Sequence, residues 1–233
     1  MYTGSIRKLK SMLAEPIQYS LPIGEVEIPL NGYLGKTLTL KFEGNIQCVH
    51  CQRKIKKSYN QGYCFPCAQT LAQCDFCIVK PEKCHFHLGT CREPEWGKTH
   101  CFIPHIVYLA NTSGLKVGIT RETQIPTRWI DQGAVQALSI CRVTNRYHSG
   151  LVEVVLKKWV ADKTDWRKML REQGESLALF EKRDELLKNI EWPDELRQES
   201  SVEVLQNQSV IAIQYPVLSY PEKVSAFNIE KTP

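Results

Sequence analysis

The chain has 233 residues, which is enough for one large domain or two modest ones with a buried core. Hydrophobic residues make up 42% of the sequence and charged residues 24%, and these fractions exclude a chain that is disordered throughout. The net charge of +5 is a mild basic excess, which permits an anionic partner without requiring one.

Two further global features concern the compartment of the protein. No segment combines a basic start, an apolar run and a small-residue cleavage site, and no apolar run approaches the roughly 18 residues of a membrane helix. We therefore expect a soluble, cytoplasmic protein. Ten cysteines are present, nine of them between Cys48 and Cys101. In a reducing compartment, paired cysteines indicate metal binding rather than disulfides.

Residues 1–47 are predicted to form a β-rich lead-in. Apolar side chains alternate at Leu38, Leu40 and Phe42, as in a strand with one buried face. Asn31-Gly32 is a turn signal ahead of this run.

Residues 48–104 are predicted to form a cysteine-rich, zinc-binding unit. Its first two CxxC pairs, Cys48 with Cys51 and Cys64 with Cys67, are separated by twelve residues. Each CxxC turn sets two thiolates at one edge of a tetrahedron, and two such turns enclose a zinc ion. Such a zinc is structural, because all four coordination positions are filled by the protein.

A second zinc site is predicted in the same unit. The preferred ligands are four cysteines, namely Cys74, Cys77, Cys84 and Cys91. Three other groups remain open as substitutes for the last two: His85, His87 and Cys101. The alternative is that these cysteines are free and buried beside a single zinc.

A cluster of positive charge lies between the first two CxxC turns. It has no acidic residue nearby, and its members are Arg53, Lys54, Lys56 and Lys57. Tyr59 and Tyr63 follow and offer aromatic faces for base stacking. We predict that this segment contacts the phosphates of DNA or RNA, the alternative being a solvated loop with no partner.

Residues 105–163 are predicted to form an α/β core. Two β-type runs flank a turn at 111–114, a short helix follows Pro126, a strand spans 137–143, and a second helix comes next. The run at 151–156 is rich in β-branched residues, so a strand stays open there. Cys141 lies in an apolar run and is predicted to be a packed core thiol.

Residues 164–233 are predicted to be helical and then β-rich. Leu179, Leu186, Leu187 and Ile190 repeat at helical spacing, and Trp192-Pro193 ends that helix. From residue 201 onward, the segments VEVLQ, VIAIQY and KVSAFNI have the composition of strands. The fold class predicted for the whole chain is therefore α+β.

The hairpin resembles a known nuclease signature. Ile106-Val107-Tyr108, followed by Lys116-Val117-Gly118-Ile119-Thr120, resembles the two-strand motif of the GIY-YIG nuclease superfamily, most closely its phage-type branch. Arg128 fits the arginine of the following helix, and Glu153 fits the glutamate of a later helix. The chain departs from the signature where Ile106 replaces the first glycine and Lys116 the second tyrosine. Zinc cysteines followed by this core also resemble an uncharacterised bacterial and archaeal family.

The resemblance implies a metal-dependent endonuclease that hydrolyses phosphodiester bonds. Tyr108, Arg128 and Glu153 are its expected catalytic residues, with Glu153 holding Mg²⁺ or Mn²⁺ and Arg128 clamping a phosphate. Lys116 is expected to contact nucleic acid and, with Arg128, to supply the positive charge that Tyr108 needs to act as a base. Gly118 is expected to let the substrate approach the backbone closely.

Each of these residues also has a structural alternative. Tyr108 is equally compatible with a core aromatic whose hydroxyl is satisfied, Arg128 with a cover for its helix beside Trp129, and Glu153 with an i,i+4 partner of Lys157. Two non-catalytic functions thus stand beside the nuclease: a zinc-containing nucleic-acid-binding module, which the lysine at position 116 favours, and a protein-interaction scaffold.

Overall fold

The computed structural model describes residues 1–197 and 201–226. The chain begins with an antiparallel sheet of three strands, β1 (Lys10–Met12), β2 (Gln18–Ile23) and β3 (Val26–Pro29). A 3₁₀ turn at Asn31–Tyr33 follows, at the predicted turn signal. The strand predicted around Leu40 is wrong. Residues 37–43 lie in no strand, and Leu40 is 54% exposed because no neighbouring element covers the apolar side of this run.

The cysteine-rich unit contains little regular structure. It has a two-stranded pair, β4 (Ile46–Gln47) with β5 (Lys54–Ile55), and two short helices, α1 (Phe65–Thr70) and α2 (Pro94–His100). Between the helices the chain makes four 3₁₀ turns, at Ala72–Cys74, Phe76–Ile78, Pro81–Lys83 and Phe86–Leu88. So little regular secondary structure gives a small unit only a small core. Units of this kind are usually stabilised further by bound metal ions or disulfides.

The predicted α/β core is present in the predicted order. It comprises the hairpin β6 (His105–Asn111) and β7 (Leu115–Arg121), helix α3 (Thr127–Asp131), strand β8 (Gln136–Val143) and helix α4 (Arg146–Leu156). The β-branched run at 151–156 is therefore helical. β6 lies between β7 and β8, and Tyr108 is opposite Gly118 on one neighbour and Ser139 on the other.

The C-terminal part adds helices α5 (Trp166–Arg171) and α6 (Leu179–Asn189) and strands β9 (Val202–Val204) and β10 (Ile211–Ala212). The predicted helix ends ahead of Trp192, and both strands pair antiparallel with β8. The main sheet has the order β10-β8-β6-β7, with β9 also on β8. Of the third predicted strand, residues 223–226 are not in a strand, and 227–229 lie outside the described residues.

The main sheet is covered on both faces, so all seven residues of β6 are buried. Val107 and Leu109 point into a cluster formed with α4 and α6. Ile106, Tyr108 and Ala110 point to the other face, where α3 and the lead-in pack. The lead-in is part of this core, since Ile17 is fully buried in it.

The cysteine-rich unit packs against α4. The contact is close at Gly150, where an added Cβ would lie 2.6 Å from the Glu82 nitrogen and 2.7 Å from the Pro81 Cβ. Next to it, the Arg146 N–H donates to the Cys101 carbonyl at 2.7 Å. The two units therefore share an interface along one side of α4. No helix within residues 1–197 and 201–226 is both long and apolar enough to span a bilayer.

Candidate metal centre and nucleic-acid interface

The first four cysteines form a compact cluster at the base of the β4–β5 pair. The sulfurs of Cys48, Cys51, Cys64 and Cys67 all lie within 4.8 Å of one another, and those of Cys51 and Cys64 are 3.7 Å apart. A tetrahedral zinc with Zn–S bonds of about 2.3 Å places its sulfurs roughly 3.8 Å apart. All four cysteines are free thiols. Their number, chemistry and spacing thus fit a structural zinc, and the cluster is a possible metal site.

The surroundings of this cluster change the pKa values of its cysteines in different directions. Burial raises the pKa of Cys48, but hydrogen bonds from backbone N–H groups, including that of Cys64 at 3.2 Å, outweigh it and lower this pKa to about 6. Burial raises the pKa of Cys67 to about 12. A divalent cation removes this difference, because it stabilises the thiolate at every position.

The predicted basic segment lies on the surface beside this cluster; we call residues 53–57 the basic loop. Lys54, Lys56 and Lys57 are exposed, and none of them lies within 4.0 Å of a carboxylate in the part of the chain that the structure describes. Arg53 differs from the lysines, since its Nε donates to the Cys51 sulfur at 3.1 Å. Three exposed ammonium groups without acidic partners thus remain available to an anion.

Two exposed aromatic rings adjoin the basic loop. Tyr59 and Phe65 are 38% and 51% exposed, and their rings meet edge-to-face with centroids 5.4 Å apart. The Lys57 ammonium lies over the Tyr59 ring, 5.4 Å from its centroid. Tyr63 is half-buried and packs against the cysteine cluster instead. Tyr59 and Phe65 are therefore the rings that a base can reach.

The cysteines after Cys67 are not grouped as predicted for the second zinc site. Cys74 packs against the first cluster. Four others line one cavity of about 20 Å³: Cys77, Cys84, Cys91 and Cys101. Asp75 and His85 line the same cavity, and with Cys77 they form a group of potential ligand atoms within 4.8 Å of one another. His87 is exposed and does not line the cavity.

Tyr108 is completely buried. Its hydroxyl is 2.6 Å from the side-chain amide of Gln132, and in the amide orientation that satisfies both partners Gln132 also accepts from Arg128 at 3.1 and 3.2 Å. Burial raises the pKa of Tyr108 to about 12. A Cβ on Gly118 would lie 2.5 Å from the Tyr108 hydroxyl, so the space above this glycine holds the phenol and not a substrate.

Glu153 lies on α4, which packs against β6 and β7, and its negative charge adds to the effect of burial in raising the pKa of Tyr108. Its carboxylate pairs with Lys157 at 3.4 Å, as the helical spacing suggested, and Lys157 also pairs with Asp162 at 3.0 Å. Burial raises the pKa of Glu153. The Lys157 ammonium thus pairs with both carboxylates, and Glu153 belongs to none of the groups of three or more possible metal ligands in the described residues.

Lys116 lies on β7, inside the α/β core. It is 5% exposed, and its ammonium donates to the Thr164 hydroxyl at 3.4 Å. Burial lowers the pKa of Lys116, and the charge of Arg128 lowers it further. A lysine enclosed in this way is not placed to contact a phosphate on the surface.

The sequence analysis did not predict the contacts of three residues: Gln132, Arg146 and Cys101. Gln132 links Tyr108 to Arg128, and its position four residues after Arg128 is the only signal that could have suggested it. Arg146 enters the interface with the cysteine-rich unit, and no sequence pattern marked it. Cys101 was predicted only as an alternative ligand of the second zinc site, because spacing in the sequence does not show which cysteines on irregular loops come together.

Comparison with known proteins gives a family and no characterised relative. No curated protein and no solved structure matches the chain. Residues 35–233 match a family described as Protein of unknown function (DUF2797), and this stretch includes both groups of cysteines and the α/β core. Because the match covers well over half of its residues, the chain belongs to the DUF2797 family.

Proposed function

We propose that this protein binds single-stranded nucleic acid through the basic loop of a zinc-stabilised unit. The observation that carries the proposal is the group of three exposed lysines, Lys54, Lys56 and Lys57, which have no carboxylate partner in the described residues and adjoin two exposed aromatic rings. Cations that follow a phosphate backbone and rings on which bases stack are the two elements of single-strand recognition.

The position of the basic loop beside the metal cluster supports the same function. The loop starts two residues after Cys51, and β5 within it pairs with β4 next to Cys48. A zinc bound by these cysteines fixes both ends of the loop before a ligand arrives. Such preorganisation lowers the entropy lost on binding. The metal in this proposal has a structural role, and the contacts to the nucleic acid come from side chains.

Phosphodiester cleavage is the second candidate. It is favoured by the resemblance of the hairpin to the GIY-YIG signature and by the buried link from Tyr108 through Gln132 to Arg128. Two features of the structure and one of the sequence weigh against it: the phenol has no exposed surface, Glu153 pairs with Lys157, and Lys116 stands where the signature has tyrosine. We therefore place binding ahead of cleavage.

The test of binding is fluorescence anisotropy of the zinc-loaded protein with labelled single-stranded DNA, single-stranded RNA and duplex DNA at several salt concentrations. Each phosphate contact contributes roughly 0.7 to the slope of log K against log salt for a single strand. Replacing Lys54, Lys56 and Lys57 by Gln should reduce that slope by about 2. A matched control replaces three exposed lysines of the C-terminal helices, Lys168, Lys182 and Lys188, and should leave the slope almost unchanged.

Aromatic stacking is tested separately. Tyr59→Ala should weaken single-strand binding roughly tenfold or more while duplex binding changes less, because stacking contributes about 1–3 kcal/mol per base. Equal loss of affinity in the two lysine triple variants would contradict the assignment of the basic loop. Absence of salt-dependent binding in the wild type would refute the function and favour a protein-interaction scaffold.

The same reactions with Mg²⁺ or Mn²⁺ decide the second candidate. We expect intact oligonucleotides. Cleavage by the wild type that is lost in Glu153→Gln and Tyr108→Phe, with binding retained in both, would establish the nuclease in place of the binding module.

A further inference from the structure

We propose that the cysteine-rich unit holds a second zinc ion through Cys77, Cys84, Cys91 and Cys101, and that Cys74 is not a ligand. These four side chains come from four separate segments, yet all of them line the same small cavity. The cavity volume of about 20 Å³ is sufficient for one atom-sized guest. Four sulfurs around such a space form the ligand set that zinc prefers in structural sites.

Local structure directs these cysteines toward the cavity. Cys77 lies in the turn Phe76–Ile78, and Cys84 directly follows the turn Pro81–Lys83. The other two are tied to Gly97 of α2: the Cys101 N–H donates to the Gly97 carbonyl at 2.8 Å, and a Cβ on Gly97 would lie 3.7 Å from the Cys91 sulfur. The 3₁₀ turns and α2 thus bring the four cysteines to one cavity. No three of their sulfurs lie within 4.8 Å of one another in the described residues, so a bound zinc would draw them closer together.

Cys74 is excluded by its position. Although it forms a CxxC pair with Cys77, the intervening residues turn the two side chains to different sides. Cys74 packs against the cluster of Cys48, Cys64 and Cys67, whereas Cys77 lines the second cavity. A CxxC pair has to share one metal to act as a zinc hairpin, and this pair does not.

The grouping of Asp75, Cys77 and His85 is the rival ligand set, but two of its members are already engaged. Asp75 accepts the Cys77 N–H at 3.1 Å and pairs with Arg92 at 2.7 Å. The two His85 ring nitrogens contact the Thr90 hydroxyl at 2.7 Å and the Asp75 carboxylate at 3.3 Å. These groups are satisfied without a metal. Their hydrogen bonds instead order the Cys77 turn, as outer partners of metal ligands do.

A cation is positioned to balance the charge of the proposed site. Zinc with four thiolates carries a net charge of −2, and a positive neighbour stabilises such a charge at a partly buried site. Arg146 lies at the same interface: its backbone N–H donates to the Cys101 carbonyl at 2.7 Å, and its guanidinium donates to the Ile78 carbonyl next to Cys77. Its Nε is buried without a partner among the described residues.

This arrangement gives the second zinc a role that the first lacks. The first cluster stabilises the basic loop, whereas the second would fix the segments that pack on α4 at Arg146 and Gly150. The inference does not depend on nucleic-acid binding, and its test measures metal only.

The experiment measures zinc per chain by mass spectrometry and the zinc coordination sphere by X-ray absorption. For the wild type we expect two zinc ions, each with four sulfur neighbours and no nitrogen. Cys101→Ser should retain one zinc. Its matched control, Cys74→Ser, should retain two with an unchanged all-sulfur sphere.

Three results would overturn the proposal: one zinc in the wild type, a nitrogen or oxygen neighbour in the wild-type spectrum, or loss of a zinc in Cys74→Ser. If Cys101→Ser does not fold, the wild type and Cys74→Ser still test the proposal. Two all-sulfur zinc sites in Cys74→Ser require eight cysteine ligands. Cys141 is buried in the core of the main sheet, so the remaining eight cysteines have to include Cys101.

Discussion

The contact between Tyr108 and Gly118 predicts that Gly118→Ala destabilises the protein even though alanine is the smallest possible addition. The new Cβ would lie 2.5 Å from the Tyr108 hydroxyl oxygen, 2.6 Å from Cζ and 2.9 Å from Cε2. The phenol cannot retreat freely, because it is fully buried, packs edge-to-face on Trp129 and is hydrogen-bonded to Gln132. Relief of the overlap therefore requires the ring or the strand to shift.

The expected magnitude follows from two contributions. Overpacking of a well-filled core costs about 1–3 kcal/mol. A ring displaced far enough to remove the overlap also loses its hydrogen bond to Gln132, and an unsatisfied buried group costs about 1–3 kcal/mol. The total of roughly 2–6 kcal/mol corresponds to a decrease in melting temperature of about 4–24 °C for a chain of this size.

The assay is urea unfolding at a fixed excess of zinc, followed by circular dichroism and by tryptophan fluorescence. Gly32→Ala is the matched control, because a Cβ there meets nothing within 4 Å, and we expect a change within about 0.5 kcal/mol. Tyr108→Leu removes the obstructing ring, so Gly118→Ala should cost less in that background than in the wild type. Wild-type stability of Gly118→Ala together with weaker nucleic-acid binding would refute this reasoning and return Gly118 to a substrate-contacting role.

Three further predictions concern the interface, the first metal cluster and pH. Gly150→Ala should destabilise by about 1–3 kcal/mol despite the better helix propensity of alanine, and limited proteolysis should then cut the cysteine-rich unit sooner; a more stable variant would contradict the close contact with Pro81. Cys51→Ser should lose one zinc per chain together with single-strand binding; loss of zinc with binding retained would separate the basic loop from the metal. Burial lowers the pKa of His105 to about 4, against about 6.5 when unfolded, so the unfolded chain binds more protons between these values. Stability should therefore fall by up to about 3 kcal/mol as pH drops from 6.5 to 4, and the difference between the wild-type and His105→Leu unfolding profiles should show this loss; parallel profiles would exclude it.

Features that depend on local pattern were predictable from the sequence. The spacing of Cys48, Cys51, Cys64 and Cys67 was sufficient for the first cluster, because two CxxC turns carry their own geometry. The hairpin, the strand that contains Cys141 and the helix Leu179–Asn189 followed from turn residues and apolar periodicity, and Cys141 is fully buried as predicted. In each case, residues close together in the chain determine the outcome.

Features that depend on distant contacts were decided only by the tertiary structure. The alternation around Leu40 had no neighbouring strand to pair with, and Tyr108 and Lys116 became buried because α3, the lead-in and the segment after α4 close over their side of the sheet. Glu153 came close to Tyr108 and Lys116 because α4 packs against β6 and β7. The same holds for Cys101, whose neighbours in the cavity come from turns up to 24 residues earlier. The periodicity of a sequence shows which side of a helix or strand is apolar. Which residues pack against that side depends on strand register and on the order of the packed layers, which only the tertiary structure shows.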